Sequence, residues 1–289
     1  MGNIVTIGAD IGGSHITAGI VDLQSRSLIP ETLVREKLDS QSDTYTIIKI
    51  WANVIRKVAS HRPYTGIQLG IAMPGPFDYE KGISMMHGQS KYDSLFGLNV
   101  KTLLAYALGI LPEKIIMMND AACFLKGEVY GGAALNYSRV VGLTLGTGLG
   151  SAVYDSSSAY DADLWRHPFL ESIAEDYISS RWFVNRYKQL YSLDIKDVKE
   201  LVEQAETHKD HVAKIFEEFG TNLGLFLVEF ISMKEAEAVV LGGNIAKAFD
   251  HFSLVTKQVM IENGIDVPLM PAKLGENAAI IGAASLWAN

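Results

Sequence analysis

One cysteine, Cys123, stands in 289 residues, which excludes an intrachain disulfide and any zinc site built from several thiolates. It lies among small and apolar neighbours, where a free thiol packs as a small hydrophobe. Long apolar runs are missing too: no stretch is long enough to span a bilayer, and no basic N-terminal segment leads into a cleavable apolar one. A cytoplasmic protein with no membrane partner is expected. Met1, Gly2 and Thr6 formally satisfy the myristoylation pattern, but Ile4, Val5 and Ile7 read as a first buried strand, and the pattern is set aside. There is no basic stripe either. With 25 Lys and Arg against 33 Asp and Glu the formal net charge is -8, and the cations are scattered, so nucleic acid is not an expected partner. Two phosphate signatures are also absent. No G-x-x-x-x-G-K-[ST] stretch exists, which excludes a P-loop, and the Gly148-x-Gly150 frame meets Val153 where a dinucleotide turn needs its third glycine.

What is there suits a compact α/β chain. At 48% hydrophobic and 20% charged residues, the sequence can build one large or two medium domains with a real core, and two lobes around a cleft is the expected plan. Residues 4–22 read as strand, glycine turn, strand, with Gly12, Gly13 and Ser14 at the tip. Such a tip can aim backbone N–H groups at an anion, with the Ser14 hydroxyl beside them and Asp10 able to hold Mg²⁺ through water; an ordinary hairpin is the other reading. Residues 140–154 nearly repeat the pattern around Gly146, Thr147, Gly148 and Gly150. A third apolar run, 238–241, ends at Gly242, Gly243 and Asn244, where a flat base can lie against bare backbone.

Between these turns lies residue run 115–122, an apolar strand that delivers Asn119 and Asp120 to the start of a helix. Either residue could simply cap that helix; alternatively Asp120 is an acid at a strand end, where α/β sheets meet their ligands. Another strand, 67–73, stops at Pro74-Gly75-Pro76, which is either a plain turn or a stiff loop lining a pocket. His87, Gln89, Lys91 and Tyr92 lie in a polar loop, and Asp163, His167, Glu171 and Glu175 in a segment expected to turn helical by about Ser172. Helical periodicity marks 43–59, 100–108, 194–206 and 213–231, and a small-residue helix closes the chain. No low-complexity segment or linker interrupts it.

Five elements thus stand in order: Asp10-Ile11-Gly12-Gly13-Ser14, Pro74-Gly75-Pro76, Asn119-Asp120, Gly146-Thr147-Gly148-Leu149-Gly150 and Leu241-Gly242-Gly243. Each is weak alone, but the ordered set, spanning residues 4–284, resembles the ROK family of sugar kinases and related repressors, of the actin, hexokinase and acetate kinase superfamily. The resemblance implies a two-lobed actin-like (ribonuclease H-like) α/β fold, each lobe a mixed sheet flanked by helices. Residues 1–118 with 278–289 would form the smaller lobe and 119–277 the larger, with the active cleft between them. It further implies ATP and Mg²⁺, with Asp120 as general base toward a sugar hydroxyl of a hexose or N-acetylhexosamine and Asn119 on the sugar together with Pro74 and Gly75. Gly12, Gly13, Ser14, Gly146, Thr147 and Gly148 would hold phosphates, Asp10 would lie near Mg²⁺, and Gly242 and Gly243 would meet adenosine. A homodimer is common in such proteins.

The pattern departs from the family in two places. Ser14-His15 replaces the usual Thr followed by Lys or Asn, keeping the hydroxyl. The family's Glu-x-Gly-His segment and its cysteine-rich zinc loop are largely missing from 161–177, so zinc is not expected. His167 and Glu175 are the sugar contacts that survive, with Asp163 the nearest acid to replace the lost Glu. Against the kinase stands a rival of another class: a catalytically weak sugar-sensing regulator. The repressors of the family carry an N-terminal DNA-binding helix-turn-helix, for which a first strand at Ile4 leaves no room.

Overall fold

The computed structural model describes residues 4–88 and 91–288; Gly2 and Gln89, both singled out above, lie outside them. Contacts divide the chain into two compact units, one running to Gly132 and resuming at Glu276, the other Ala133–Gly275. Each is a mixed sheet flanked by helices, as expected.

In the first unit, β1 (Ile4–Ile11) and β2 (His15–Asp22) form the antiparallel hairpin around the first glycine turn. Short strands β3 (Ser27–Leu28) and β4 (Val34–Lys37) pair antiparallel with β2. On the other side β5 (Gly66–Met73) runs parallel to β1; a small hairpin of β6 (Phe77–Asp78) and β7 (Ile83–Ser84) follows, and β8 (Ile115–Asn119) lies parallel to β5. Val5, Ile7, Ala9 and Ile11 alternate onto one buried face, as the period of a strand requires. There they meet α1 (Thr44–Ala59), capped by the Asp43 carboxylate on Thr46 N–H at 3.0 Å, which presents Ile47, Trp51, Val54 and Ile55 to the same core. The periodic run 100–108 is α2 (Val100–Leu108), begun by Asn99 and ended by Gly109 at φ +71°.

The opposite face of this sheet is covered at unusually short range by the C-terminal helix Ala278–Ala284. A Cβ built on Gly8 would sit 2.0 Å from the Ile280 carbonyl oxygen, and one on Gly70 1.9 Å from that of Ala283. The same helix meets α3 (Asp120–Gly131) through Gly282, where a Cβ would lie 1.8 Å from the Cys123 carbonyl oxygen. Only glycine permits backbones to approach so closely. That contact joins α3, Asp120 included, to the first unit, although the sequence reading grouped residues from 119 onward with the larger lobe. Cys123 is fully buried there beside Ala72 and Ala283.

The second unit repeats the plan. Strands β9 (Arg139–Leu145) and β10 (Leu149–Asp155) form the hairpin and β11 (Ala159–Asp161) extends it antiparallel. The hairpin β12 (Pro168–Phe169) with β13 (Ser172–Ile173) lies apart. Parallel to β9 runs β14 (Ala238–Gly242), with β15 (Leu269–Pro271) beyond it. Around the sheet pack α4 (Ala174–Tyr177), α5 (Ser180–Tyr191), α6 (Val198–Glu203), α7 (Lys209–Lys234) and α8 (Phe249–Glu262). Their core is aromatic: Phe183 and Phe219 have centroids 4.5 Å apart, and Phe252 meets Phe219 edge-on at 5.2 Å. The segment expected to turn helical by Ser172 instead forms β13, a single turn of helix, and an extended Ser179 before α5 begins. Among the described residues no helix is long and apolar enough to cross a membrane.

Candidate active site

Three parallel strands of the first unit end side by side, with Asp10 in register with Ala72 and Met73 with Asn119. The carboxyl ends of parallel strands are where such sheets hold ligands. Here the capping and catalytic readings separate by one residue. Asn119 is the cap: its Oδ1 accepts the Ala122 N–H at 3.0 Å, while its amide nitrogen faces the Tyr79 hydroxyl at 3.4 Å. Tyr79 in turn donates to the Met73 carbonyl at 3.0 Å, and a Cβ on Gly75 would lie 3.3 Å from its hydroxyl oxygen. One tyrosine therefore ties the Pro74-Gly75-Pro76 turn to Asn119.

Asp120 follows as the first helical residue, accepting the Ala121 N–H at 2.9 Å. Burial raises its pKa above the ordinary carboxylate value, with the Ala121 N–H and the charge of Lys91 pulling the other way. Burial likewise lifts Asp10 to about 7, helped by the negative charges of Asp120 and Glu276 and opposed by Arg35. Burial thus disfavours the ionised form of both carboxyls, and at Asp10 the charge of Asp120 adds to it. That is a setting a dication bound through water and phosphate would relieve. Among the described residues no group of three or more His, Cys, Asp or Glu could hold a metal by itself.

The first glycine turn adjoins Asp10. Gly12 donates to the His15 carbonyl at 2.9 Å, and its own carbonyl accepts the Tyr92 hydroxyl at 2.5 Å. Tyr92 is buried edge-on against Trp51, so this turn is anchored from the core. Around Gly13 there is open space. Ser14 lies beside His15, which meets Arg35 of β4.

In the second unit the Gly146-Thr147-Gly148 turn is closed by Gly146 N–H on the Gly148 carbonyl at 3.1 Å. Glu175 grips it: its Oε2 accepts the Leu149 N–H at 3.0 Å, its other oxygen pairs with Arg181, and a Cβ on Gly148 would stand 2.6 Å from Oε2. The Gly146 carbonyl accepts both the Ser180 N–H at 2.8 Å and the Ser180 hydroxyl at 2.9 Å. Beside Thr147 opens a cavity of about 920 Å³, lined also by Ser180, Lys196, Lys199, Asn244, Lys247 and His251. Gly243, at φ +87° and with no room for a Cβ against the Leu145 carbonyl oxygen 2.3 Å away, aims the chain so that Asn244 reaches this cavity. Two of the three glycine turns read from the sequence therefore serve one cavity, with lysines and an α5 N-terminus suited to phosphate. His251 is stacked on Phe216, 4.8 Å between centroids.

The remaining expected residues are engaged elsewhere. His167 Nε2 lies 2.9 Å from Glu229 Oε1. Asp163 holds Arg166 at 2.7 Å and the Trp165 indole at 2.8 Å. Tyr92 stood in the polar loop singled out from the sequence, but its place under the first glycine turn did not show there. Sequence reasoning missed Tyr79, Ser180 and the cavity lysines, none of which lies in a motif.

Comparison with known proteins bears on the same elements. The sequence profile of the ROK family matches residues 6–160 and 172–289, and the unmatched stretch between them falls within the segment that departs from the family pattern. The chain is 24% identical to the glucokinase of Thermotoga maritima over 327 aligned residues, covering 99% of this chain and 98% of that protein. It is 22% identical to the xylose repressor of Bacillus spizizenii, covering 97% of this chain and 76% of the repressor. A ROK family glucokinase from Streptomyces griseus, solved in complex with glucose and AMPPNP, superposes with a TM-score of 0.75 at 21% identity, covering 98% and 97% of the two chains. The likeness establishes the actin-like α/β fold.

Proposed function

The chain belongs to the ROK family, and from that premise we propose that it is a sugar kinase, moving the γ-phosphoryl group of ATP to a hydroxyl of a hexose or N-acetylhexosamine. One observation carries this reading above the others. Asp120 is a carboxylate at a strand end, next to Asn119, which serves as the helix N-cap, and made more basic by burial, which is what a base toward an alcohol needs. In the proposed reaction Asp120 accepts the proton of the attacking hydroxyl. Asn119, through its amide, and the Pro74-Gly75 turn orient the sugar, and His167 and Glu175 contribute to the same recognition.

Phosphoryl transfer asks the protein mainly for position and for neutralised charge. Gly12, Gly13, Ser14 and the Gly146-Thr147-Gly148 turn supply N–H and hydroxyl donors, and the lysine-lined cavity beside Gly242 and Gly243 receives the adenosine end. Asp10 is the residue that would hold Mg²⁺, which when bound would supply positive charge to the phosphates. The glucose and AMPPNP bound by the Streptomyces griseus glucokinase support both ligand classes. A homodimer completes the proposal and is checked by sedimentation.

A second reading, a sugar sensor with weak or no turnover, is favoured by the unmatched residues 161–171 and by the local engagement of Asp163 and His167. A coupled ADP-release assay with Mg²⁺ and ATP across glucose, mannose, fructose, allose, N-acetylglucosamine and N-acetylmannosamine separates the two. Sugar-dependent turnover is expected, falling about 10²–10⁴-fold in Asp120→Asn. Full turnover in that variant would remove Asp120 from its role. Silence across the panel with sugar binding intact would establish the sensor.

A further inference from the structure

Above the first glycine turn three side chains form a chain of hydrogen bonds whose direction is fixed by their chemistry. Arg35, opposite Thr17 in the pairing of β2 with β4, brings Nη2 to 2.9 Å from His15 Nε2. On the other side of the ring, His15 Nδ1 lies 3.1 Å from Ser14 Oγ. A guanidinium has donors and no acceptor, and it keeps its charge at any pH the fold experiences. His15 Nε2 must then be the accepting nitrogen, so the imidazole is neutral and its one proton is on Nδ1. Burial and the charge of Arg35 both act in that direction, lowering the pKa of His15. The Nδ1 proton goes to Ser14 Oγ. With its oxygen accepting from the ring, the Ser14 hydroxyl must turn its own hydrogen away from His15.

We propose that Arg35 and His15 are positioning residues that hold the Ser14 hydroxyl as a hydrogen-bond donor to a phosphate of the nucleotide. The inference rests on the kinase reading, in which the Gly12-Gly13-Ser14 turn binds phosphate. Glu276, 3.2 Å from Arg35 Nη1, steadies the guanidinium from the opposite side. Without Arg35 the imidazole is free to take the other tautomer, accept from Ser14 and turn the hydroxyl away from the ligand, presenting oxygen lone pairs to an anion. The chain thus offers a physical account of why a histidine can follow the serine here: the arginine on the neighbouring strand decides which way its proton points.

A double-mutant cycle on ATP affinity tests this, read by calorimetry with Mg²⁺ and without sugar, so that no turnover is needed. Arg35 is half exposed, with 54% of its side chain open to solvent, and its truncation leaves the core intact. Ser14→Ala and Arg35→Ala are each expected to weaken ATP binding about tenfold, the worth of a hydrogen bond to a charged group. In the Ser14→Ala background, Arg35→Ala is expected to add nothing, because the relay ends on the missing hydroxyl. In steady state Arg35→Ala should raise KM for ATP more than it lowers kcat, the split expected of a residue that positions the hydroxyl. Equal losses from Arg35→Ala in both backgrounds would mean that Arg35 acts as a bare charge, which overturns the relay alone. No ATP binding by the unsubstituted protein would overturn the kinase reading and the relay with it.

Discussion

The two glycine hairpins share one backbone plan and differ in what holds the turn. In both, a strand enters a glycine tip, returns antiparallel, and later finds a parallel partner, β5 for β1 and β14 for β9. At the first, Asp10 stands two residues before Gly12, the space around Gly13 is open, and the support is a tyrosine on a carbonyl from the core. At the second, Thr144 takes the place of the acid, and the tip is clasped by Glu175 on the Leu149 N–H and by the hydroxyl and backbone N–H of Ser180 on the Gly146 carbonyl. One turn is governed by charge and the other by fit. Equivalent substitutions should therefore be read out through different quantities in the two units.

After the loss of turnover expected in Asp120→Asn, the largest effect should appear at the acid that only the first hairpin has. Asp10 titrates at about 7 in the folded protein against an ordinary 3.8. The native state keeps this proton at a pH where the unfolded chain has released it. Between about pH 4 and pH 7 the native state therefore binds more protons, and stability falls as pH rises. Asp10→Asn should remove that slope, stabilising the metal-free protein by up to about 4 kcal/mol near pH 8 and hardly at all near pH 4, in denaturant titrations across the range. Thr144→Val, in the matching place, should leave the slope unchanged. An Asp10→Asn protein with the original pH dependence would mean that burial beside Asp120 does not set the character of the first turn.

Fit is tested at Gly148 against Gly13, neither of which needs a left-handed backbone. An added Cβ at Gly13 meets nothing within 4 Å, whereas at Gly148 it meets the Glu175 carboxylate. That carboxylate can move only by leaving the Leu149 N–H and Arg181. Gly148→Ala is expected to cost about 1–3 kcal/mol of stability, the range for a buried bond left unmade. Gly13→Ala should change stability by under about 0.5 kcal/mol, with its effect confined to ATP affinity. Equal stability losses at both sites, in urea titrations, would erase the distinction between the turns.

Much of this was legible in the sequence because strands and helices advertise their periods. The runs 100–108 and 115–119 fall on α2 and β8 as read, and the glycine tips fall where apolar runs break. Asn119 and Asp120 could not be told apart, since both residue types cap helices and only the register of α3 decides between them. Strand β4 gave no signal: Arg35, Glu36 and Lys37 are exposed on it and Val34 alone is buried, yet it delivers Arg35 to His15. The cavity in the second unit was equally hidden. Its lysines come from separate elements that converge only through the fold, and no local pattern records that convergence. In 161–181 the helical expectation failed because Pro168 opens a hairpin and Ser179 is extended, which delays α5 to Ser180.

The smallest expected effect decides which side chain clasps the second turn. Ser180 gives the Gly146 carbonyl two bonds, a backbone N–H at 2.8 Å and a hydroxyl at 2.9 Å. Ser180→Ala removes only the second, and the carbonyl remains satisfied by the first, so no buried group is orphaned. The cost should stay near the net worth of one ordinary hydrogen bond, about 0.5–1 kcal/mol. Gly148→Ala differs in kind, because displacing Glu175 strips the Leu149 N–H of its acceptor and separates the carboxylate from Arg181. Thermal melts of the two variants side by side should therefore rank Gly148→Ala well below Ser180→Ala. The reverse order would place the grip on the turn in the serine at the start of α5.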